Sequence, residues 1–293
     1  MRLKGKVGIV TGAGAGIGRA IASGFASEGA TVVIAEVDAQ SGLSTEEAIR
    51  KSGGNACFLP TDVSDEQQIK FMVEQTLARF GRIDVLCNNT GVLLFDKEAP
   101  AHELSTEAWD RTMAVNLRGY WLTSKYVFPA MLHQKSGSII HIASPTGLFG
   151  FTRSTAYSAS KGGVLGLMRA MAADYGPEHI RVNGIIPGTI DTPMNAPEFT
   201  DLAIREQWAQ IAPARRLGVP EDIAWIAVYL ASEESSYCVG DLHGRRWLGR
   251  DMMLHAPNCF GGNACSIRKC SRPGTTVPGE SSRPLPFASS SLV

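Results

Sequence analysis

Apolar positions fall in short unbroken runs, separated by stretches with helical spacing. Residues 6–11 carry Val7, Ile9 and Val10 and read as a strand. Glycines follow, and then a helical pattern runs over 17–28. Residues 31–36 are a second β-branched run, and 56–60 a short third strand. Ser64 and Gln67 have the spacing of a capping box. The helix behind them sets Ile69, Met72, Val73, Leu77 and Phe80 on one face. Residues 84–88 are a fourth strand, 106–135 a long helix and 138–143 a fifth strand. A helix over 155–175, a strand over 181–186 and a helix over 221–232 complete the pattern.

Strands without polar alternation suit a parallel sheet covered on both faces. Their regular exchange with helices predicts right-handed βαβ units in a doubly wound, Rossmann-like α/β fold. No linker interrupts residues 1–237, which predicts a single domain. The longest irregular stretch, 187–218, contains a helical piece near 202–210. Long loops in compact domains are often functional lids.

Composition narrows the picture. The chain has 293 residues, 44% of them apolar and 19% charged, enough to bury a sizeable core and too apolar for a disordered chain. Its 28 basic and 28 acidic residues leave no basic footprint for nucleic acid. No apolar run reaches the length of a membrane span. The first residues are basic, but the apolar stretch after them is too short for a signal peptide, so a cytoplasmic location is expected. The neutral total conceals a split. Residues 1–237 carry a net charge of −4 and 238–293 a net +4, and four of the six cysteines lie in that tail.

Chemistry concentrates where strands end. Thr11-Gly12-Ala13-Gly14-Ala15-Gly16-Ile17-Gly18 joins the first strand to the first helix. Small residues let the backbone approach a phosphate, and the helix N-terminus offers free N–H groups and the positive dipole end. The segment is expected to cradle a pyrophosphate; the plainer reading is a glycine-rich turn. Glu36 closes strand two, where an acid accepts from a ribose 2′-hydroxyl and repels a 2′-phosphate. Ala15 and Val37 add no base there, so NAD is favoured over NADP. Tyr157 and Lys161 stand four apart on one helical face. A phenol titrates near pH ~10, and a neighbouring ammonium favours the phenolate, which suits proton transfer to and from a carbonyl oxygen. Ser144 ends strand five, and Asn88, Asn89, Thr90 and Gly91 end strand four. In a parallel sheet these carboxyl ends line the ligand crevice. Asn116 sits in the helix that follows.

Together these motifs resemble the short-chain dehydrogenase/reductase family over about residues 3–237. Thr11-Gly12-x3-Gly16-x-Gly18 is similar to its cofactor motif, and Asn88-Asn89-Thr90-Gly91 to its Asn-Asn-Ala-Gly. Asn116, Ser144, Tyr157 and Lys161 match its catalytic tetrad in identity and order. Pro187-Gly188-Thr189-Ile190-Asp191-Thr192 resembles the segment that meets the nicotinamide, and Asp62-Val63 the pair that holds the adenine. The resemblance implies Tyr157 as general acid/base, and Lys161 lowering its pKa and binding the nicotinamide ribose. It implies Ser144 orienting the substrate oxygen and Asn116 holding a water that links Lys161 to solvent. Asn89 would line the cofactor channel, with Ile190 and Thr192 near the carboxamide. It also implies a small carbonyl or alcohol substrate (a 3-oxoacyl thioester, a sugar or a hydroxysteroid-like compound), no metal, and a homotetramer. Thr90, in place of alanine, is expected to crowd the cofactor slightly. Among the apolar lid residues, Met194, Phe199, Ile204 and Trp208 read equally as a substrate wall or as packing.

The tail departs from the family. After Ser235-Ser236-Tyr237 the usual last strand and its Val-Asp-Gly-Gly ending are missing. Codons exist for residues 243–249 that, read one nucleotide later, encode Thr-Val-Asp-Gly-Gly-Trp. Met252-Met253 must be ATG ATG, which in that frame reads TGA. Residues from about 238 onward therefore read either as out of frame or as a genuine basic extension; in both readings 238–293 is an atypical tail expected to be disordered, most clearly over 272–293, rich in Pro and Ser. The spacing of Cys259, Cys265 and Cys270 is not that of a standard zinc finger. Loss of the last strand is expected to expose a sheet edge. The alternative function is then an impaired dinucleotide-binding protein.

Overall fold

The computed structural model describes residues 1–244. Readings of Cys259, Cys265 and Cys270, of disorder over 272–293, and of most of the shifted frame lie outside the described residues.

Among the described residues, seven parallel strands form one sheet: β1 (Val7–Thr11), β2 (Thr31–Glu36), β3 (Asn55–Pro60), β4 (Val85–Asn88), β5 (Gly137–Ile142), β6 (Ile180–Ile185) and β7 (Leu242–His243). Their order is β3-β2-β1-β4-β5-β6-β7. The chain winds outward from β1 in one direction and from β4 in the other. The β1/β4 boundary is therefore the switch point, where a crevice opens above the carboxyl ends.

Helices α1 (Gly16–Ser27), α2 (Ala39–Lys51) and α8 (Pro220–Ala231) cover one face. Phe25, Ile34, Val228 and Leu230 are fully buried there. Helices α3 (Glu66–Phe80), α5 (Gly119–Gln134) and α6 (Thr155–Tyr175) cover the other, over Ile9, Met72, Leu86 and Met168. α4 (Thr106–Met113) leads into α5 through a π turn over Ala114–Arg118. α7 (Leu202–Ile211) lies in the lid.

Three expectations change. The segment after Asp38 forms α2, which its Ser, Gly and Thr content conceals; Asp38 caps it by accepting from the amides of Gln40 and Ser41. The capping box assigned to Ser64 and Gln67 does not form. Asp65 is the cap, accepting from Gln67 and Gln68, while the Ser64 hydroxyl donates to Asp62. The last strand is not lost. Leu242 and His243 pair with Gly184 and Ile185 of β6, and the amide of Gly184 donates to Asp241 at 2.9 Å. Ladder hydrogen bonds use only main chain, and Leu242 packs on the core, so this short strand covers the Gly184–Ile185 end of the β6 edge. The sheet thus continues past the boundary expected at 237.

Candidate active site

A cleft of about 620 Å³ runs along the carboxyl edge of the sheet. Its walls include Gly12, Gly16, Ile17, Glu36, Asp62, Val63, Asn89, Gly91, Ser144, Tyr157, Lys161, Pro187, Gly188, Ile190 and Thr192. Three expected site residues stand behind the wall. Gly14 holds Glu36, Gly18 backs the first turn, and Asn116 is fully buried.

The first turn is built for close backbone approach. Gly12 has φ 64°, in the left-handed region, and a Cβ there would come 2.9 Å from Thr90 Cα. A Cβ on Gly18 would come 2.1 Å from the carbonyl oxygen of Gly12, so the helix starts directly against the turn. The Thr11 hydroxyl accepts from the amides of Asn89 and Thr90, and the Asn89 side chain donates to the carbonyls of Thr11 and Gly12, each at 3.1 Å. The ends of β1 and β4 are thereby locked together across the switch point. Thr90 turns its hydroxyl toward Gly12, where it is buried without a partner. Thr90 also lines the cleft, beside the turn.

Glu36 is fixed by main chain. One carboxylate oxygen accepts from Gly14 at 3.0 Å, the other from Val37 and Asp38. This points the acid at the mouth of the turn. Asp62 accepts from the Ser64 amide and hydroxyl and lies 3.8 Å from Arg111. The glycine cradle, the acid at the end of β2 and an unpartnered hydroxyl beside the turn suit a dinucleotide.

The other end of the cleft is desolvated. Lys161 is 3% exposed and has no carboxylate partner among the described residues. Its ammonium donates to the carbonyl of Ile142 at 2.9 Å and to the Tyr120 hydroxyl at 3.3 Å. It lies 5.1 Å from the Tyr120 ring and 5.8 Å from the Tyr157 ring. Burial lowers its pKa to about 7. Tyr157 moves the other way. Burial pushes its phenol up to about 12, a hydrogen bond with Ser144 pulls it back in part, and the nearby charge of Glu98 adds to the rise. The lowering expected of Lys161 is thus set against burial, which dominates the net shift. Desolvation outweighs a lysine that is itself pushed toward neutrality and bonded elsewhere.

Asn116 lies in the π turn. Its side-chain oxygen accepts from the Val92 amide at 2.8 Å, and its NH₂ donates to the Val92 carbonyl and the Ser160 hydroxyl. It ties the loop after β4 to α6, the helix of Tyr157 and Lys161. π turns often mark functional sites.

Two residues escape sequence reading. Tyr120 is 1% exposed, and its hydroxyl donates to the Ile142 carbonyl while holding Lys161. Glu98 is 4% exposed and accepts from the amides of Ala156 and Tyr157, so it caps the first turn of α6. Burial raises its pKa against those bonds. An aromatic after Gly119 and an acid in a loop carry no signal until the fold brings them to α6.

The lid is stitched at its base. The amide of Asp191 donates to the Gly218 carbonyl, that of Gly218 to the Thr189 carbonyl, and Arg205 of α7 pairs with Asp191. Met194 and Trp208 line the cleft. Phe199 and Ile204 instead pack with Trp208 and Leu217 inside the lid.

A family model described as enoyl-(acyl carrier protein) reductase matches residues 12–243. The chain belongs to the short-chain dehydrogenase/reductase family. It is 42% identical over 247 residues to the uncharacterized oxidoreductase YxbG of Bacillus subtilis (strain 168), covering 82% of this chain and 89% of the relative. Levodione reductase superposes with a TM-score of 0.78 at 34% identity, over 82% of this chain and 96% of that one. A putative NAD(P)-dependent gluconate 5-dehydrogenase from Beutenbergia cavernae, with NADP at low occupancy, gives 0.77 at 37% identity, over 82% and 94%. Like them, this short-chain dehydrogenase/reductase is an oxidoreductase with a parallel, Rossmann-like sheet. No helix among its described residues is long and apolar enough to cross a membrane.

Proposed function

We propose that the chain is an NAD(H)-dependent oxidoreductase that interconverts a secondary alcohol and a ketone in the cytoplasm. One observation carries the reading: Ser144, Tyr157 and a buried, carboxylate-free Lys161 meet in one cleft with the glycine turn and Glu36. When bound, the nicotinamide supplies hydride to the carbonyl carbon or accepts it from the alcohol. Gly12, Gly16, Ile17, Asn89 and Gly91 would border the dinucleotide, with Asp62 and Val63 at its adenine and Pro187, Gly188, Ile190 and Thr192 at its nicotinamide.

Tyr157, raised to about 12, rests with its proton on Oη and donates it to the carbonyl oxygen as that oxygen gains charge. The Ser144 hydroxyl bonds the same oxygen and orients it. The Lys161 ammonium faces the phenolate that remains and offsets its charge. In the oxidising direction the phenolate takes the alcohol proton back. Asn116 holds the π turn beside Lys161, where a water would pass protons to solvent. No metal enters the step.

NAD is favoured over NADP by this chain's own charges. A 2′-phosphate would meet Glu36, and the cations on the cleft wall, Arg111 and Lys161, are both engaged elsewhere. Self-association into a tetramer is supported by the open apolar face formed by Leu117, Trp121, Gly163, Gly166 and Leu167. The alternative is a catalytically impaired dinucleotide-binding protein, whose altered C-terminus keeps Gly12, Gly16, Gly18 and Glu36 working but misplaces the lid or prevents assembly; cofactor binding without turnover would favour it.

Tyr157→Phe tests the chemistry. Nicotinamide fluorescence should report NADH binding unchanged within about twofold, while turnover falls by at least ~100-fold, the usual reach of a positioned acid/base. Full turnover in that variant would sink the assignment.

A further inference from the structure

Among the charged side chains on the cleft wall, Glu36, Asp62 and Arg111 belong to the β2–β3 end, with Arg111 3.8 Å from Asp62 and donating to Ser64 at 2.9 Å. Lys161 is buried on Ile142 and Tyr120. The lid contributes Glu198, half-buried, one of whose carboxylate oxygens accepts from the Trp208 indole at 2.9 Å. The rest of that wall is uncharged, apolar at Leu93, Phe95, Phe149, Phe151 and Met194 and polar at Thr146, Thr152 and Asn195. Among the described residues of that wall, an anionic substrate seated under the lid meets no cation other than Lys161, which is buried at the reacting end on Ile142 and Tyr120. It meets one fixed carboxylate instead, across low-dielectric walls that extend the reach of its field.

We propose that this cleft selects carbonyl compounds uncharged around the reacting carbon, and that Glu198 is the specificity-determining residue that rejects carboxylated ones. This rests on the alcohol/ketone reading above. The rejection is a repulsive device added to a generic apolar fit, since hydrophobic walls alone discriminate poorly between neighbours of similar shape. Trp208 gives the carboxylate its place. It is 8% exposed and packed in the lid cluster with Phe199 and Leu217, so its N–H holds Glu198 at a fixed point of the wall.

The test compares methyl 4-oxocyclohexanecarboxylate with the free acid, which share a skeleton and differ in charge. NADH consumption gives kcat/KM for each, and fluorescence of the NADH-loaded protein gives binding of each. The ester should exceed the acid by at least about tenfold in kcat/KM. In Glu198→Gln the ratio should fall to about threefold or less, mainly through a lower KM for the acid. The Gln carbonyl can still accept from Trp208, and a general loss of activity cancels in the ratio. Preference for the acid, a ratio untouched by the substitution, or failure of both compounds to bind the loaded protein would overturn the proposal. Turnover surviving in Tyr157→Phe would instead overturn the underlying chemistry and leave the charge selection standing.

Discussion

The two ends of the cleft treat charge in opposite ways. At the β2–β3 end, Glu36 accepts three main-chain N–H groups, and Asp62 is matched by Ser64 and Arg111. Charge there is solvated or paired, and it recognises. At the β4–β5 end, Lys161 is buried with a carbonyl and a phenol for partners, and Tyr157 is desolvated beside it. Charge there is costly in the resting protein and becomes favourable only when an opposite charge develops next to it. Recognition can be built from comfortable groups, whereas proton transfer draws on uncomfortable ones.

Lys161→Met breaks this contrast most severely. The thioether fills similar volume without a charge. Turnover should fall by ~100-fold or more, as for loss of an electrostatic stabiliser. Stability should move the other way. The folded pKa of about 7 lies below the unfolded value of about 10.4, so between them the unfolded chain binds more protons and stability rises with pH. Below that window the protein carries the full cost of a buried ammonium. The variant should therefore be more stable near neutral pH by about 1–3 kcal/mol and should lose the upward slope above pH ~7. Denaturant titrations at several pH values measure both. A variant less stable at every pH would show that Lys161 is a structural prop.

How much of each end was legible follows from the same contrast. The glycine turn, Glu36 and the Tyr157/Lys161 pair declare themselves because their partners are close in sequence or fixed by helical period and strand ends. Six of the strands and most helices were legible for the same reason; β7 was not, nor was α2, whose Ser41, Gly42, Ser44 and Thr45 break the apolar rhythm. Tyr120 and Glu98 were invisible because what each touches, 41 and 59 residues away, is decided by packing. The depth at which Lys161 and Tyr157 sit was equally out of reach. Helical spacing places both on one face but says nothing of how dry that face is, and dryness reverses the expected direction of the Tyr157 shift.

Glu36→Ala probes the recognition end with a smaller effect. Wild-type protein should bind NADH at least about tenfold more tightly than NADPH, an acid facing a phosphate being worth ~1–3 kcal/mol. Alanine should bring the two within about threefold, by weakening NADH and relieving NADPH. Paired fluorescence titrations read the ratio. Because Glu36 also caps the amides of Gly14, Val37 and Asp38, the variant should lose some affinity for both forms. Equal binding already in the wild type would mean that the acid stabilises the turn and selects nothing.

Tyr120→Phe is the subtlest change and the one that sharpens the comparison. It keeps the ring 5.1 Å from the Lys161 ammonium, and so keeps the cation–π attraction. It removes only the hydroxyl that accepts at 3.3 Å and itself donates to Ile142. A hydrogen bond to a charged donor favours the charged form, so its loss should lower the Lys161 pKa further, by about half to one unit. The alkaline limb of kcat/KM for ketone reduction, which follows loss of the ammonium, should move to lower pH by the same amount. At pH well below the limb the two proteins should turn over alike. A purely structural role for the hydroxyl would lower kcat at every pH and leave the limb in place. A limb that stays put at full activity would mean that the Ile142 carbonyl alone supports the ammonium. The dry end would then tolerate its charge through main chain, as the wet end does for Glu36, and the two ends would differ only in their water.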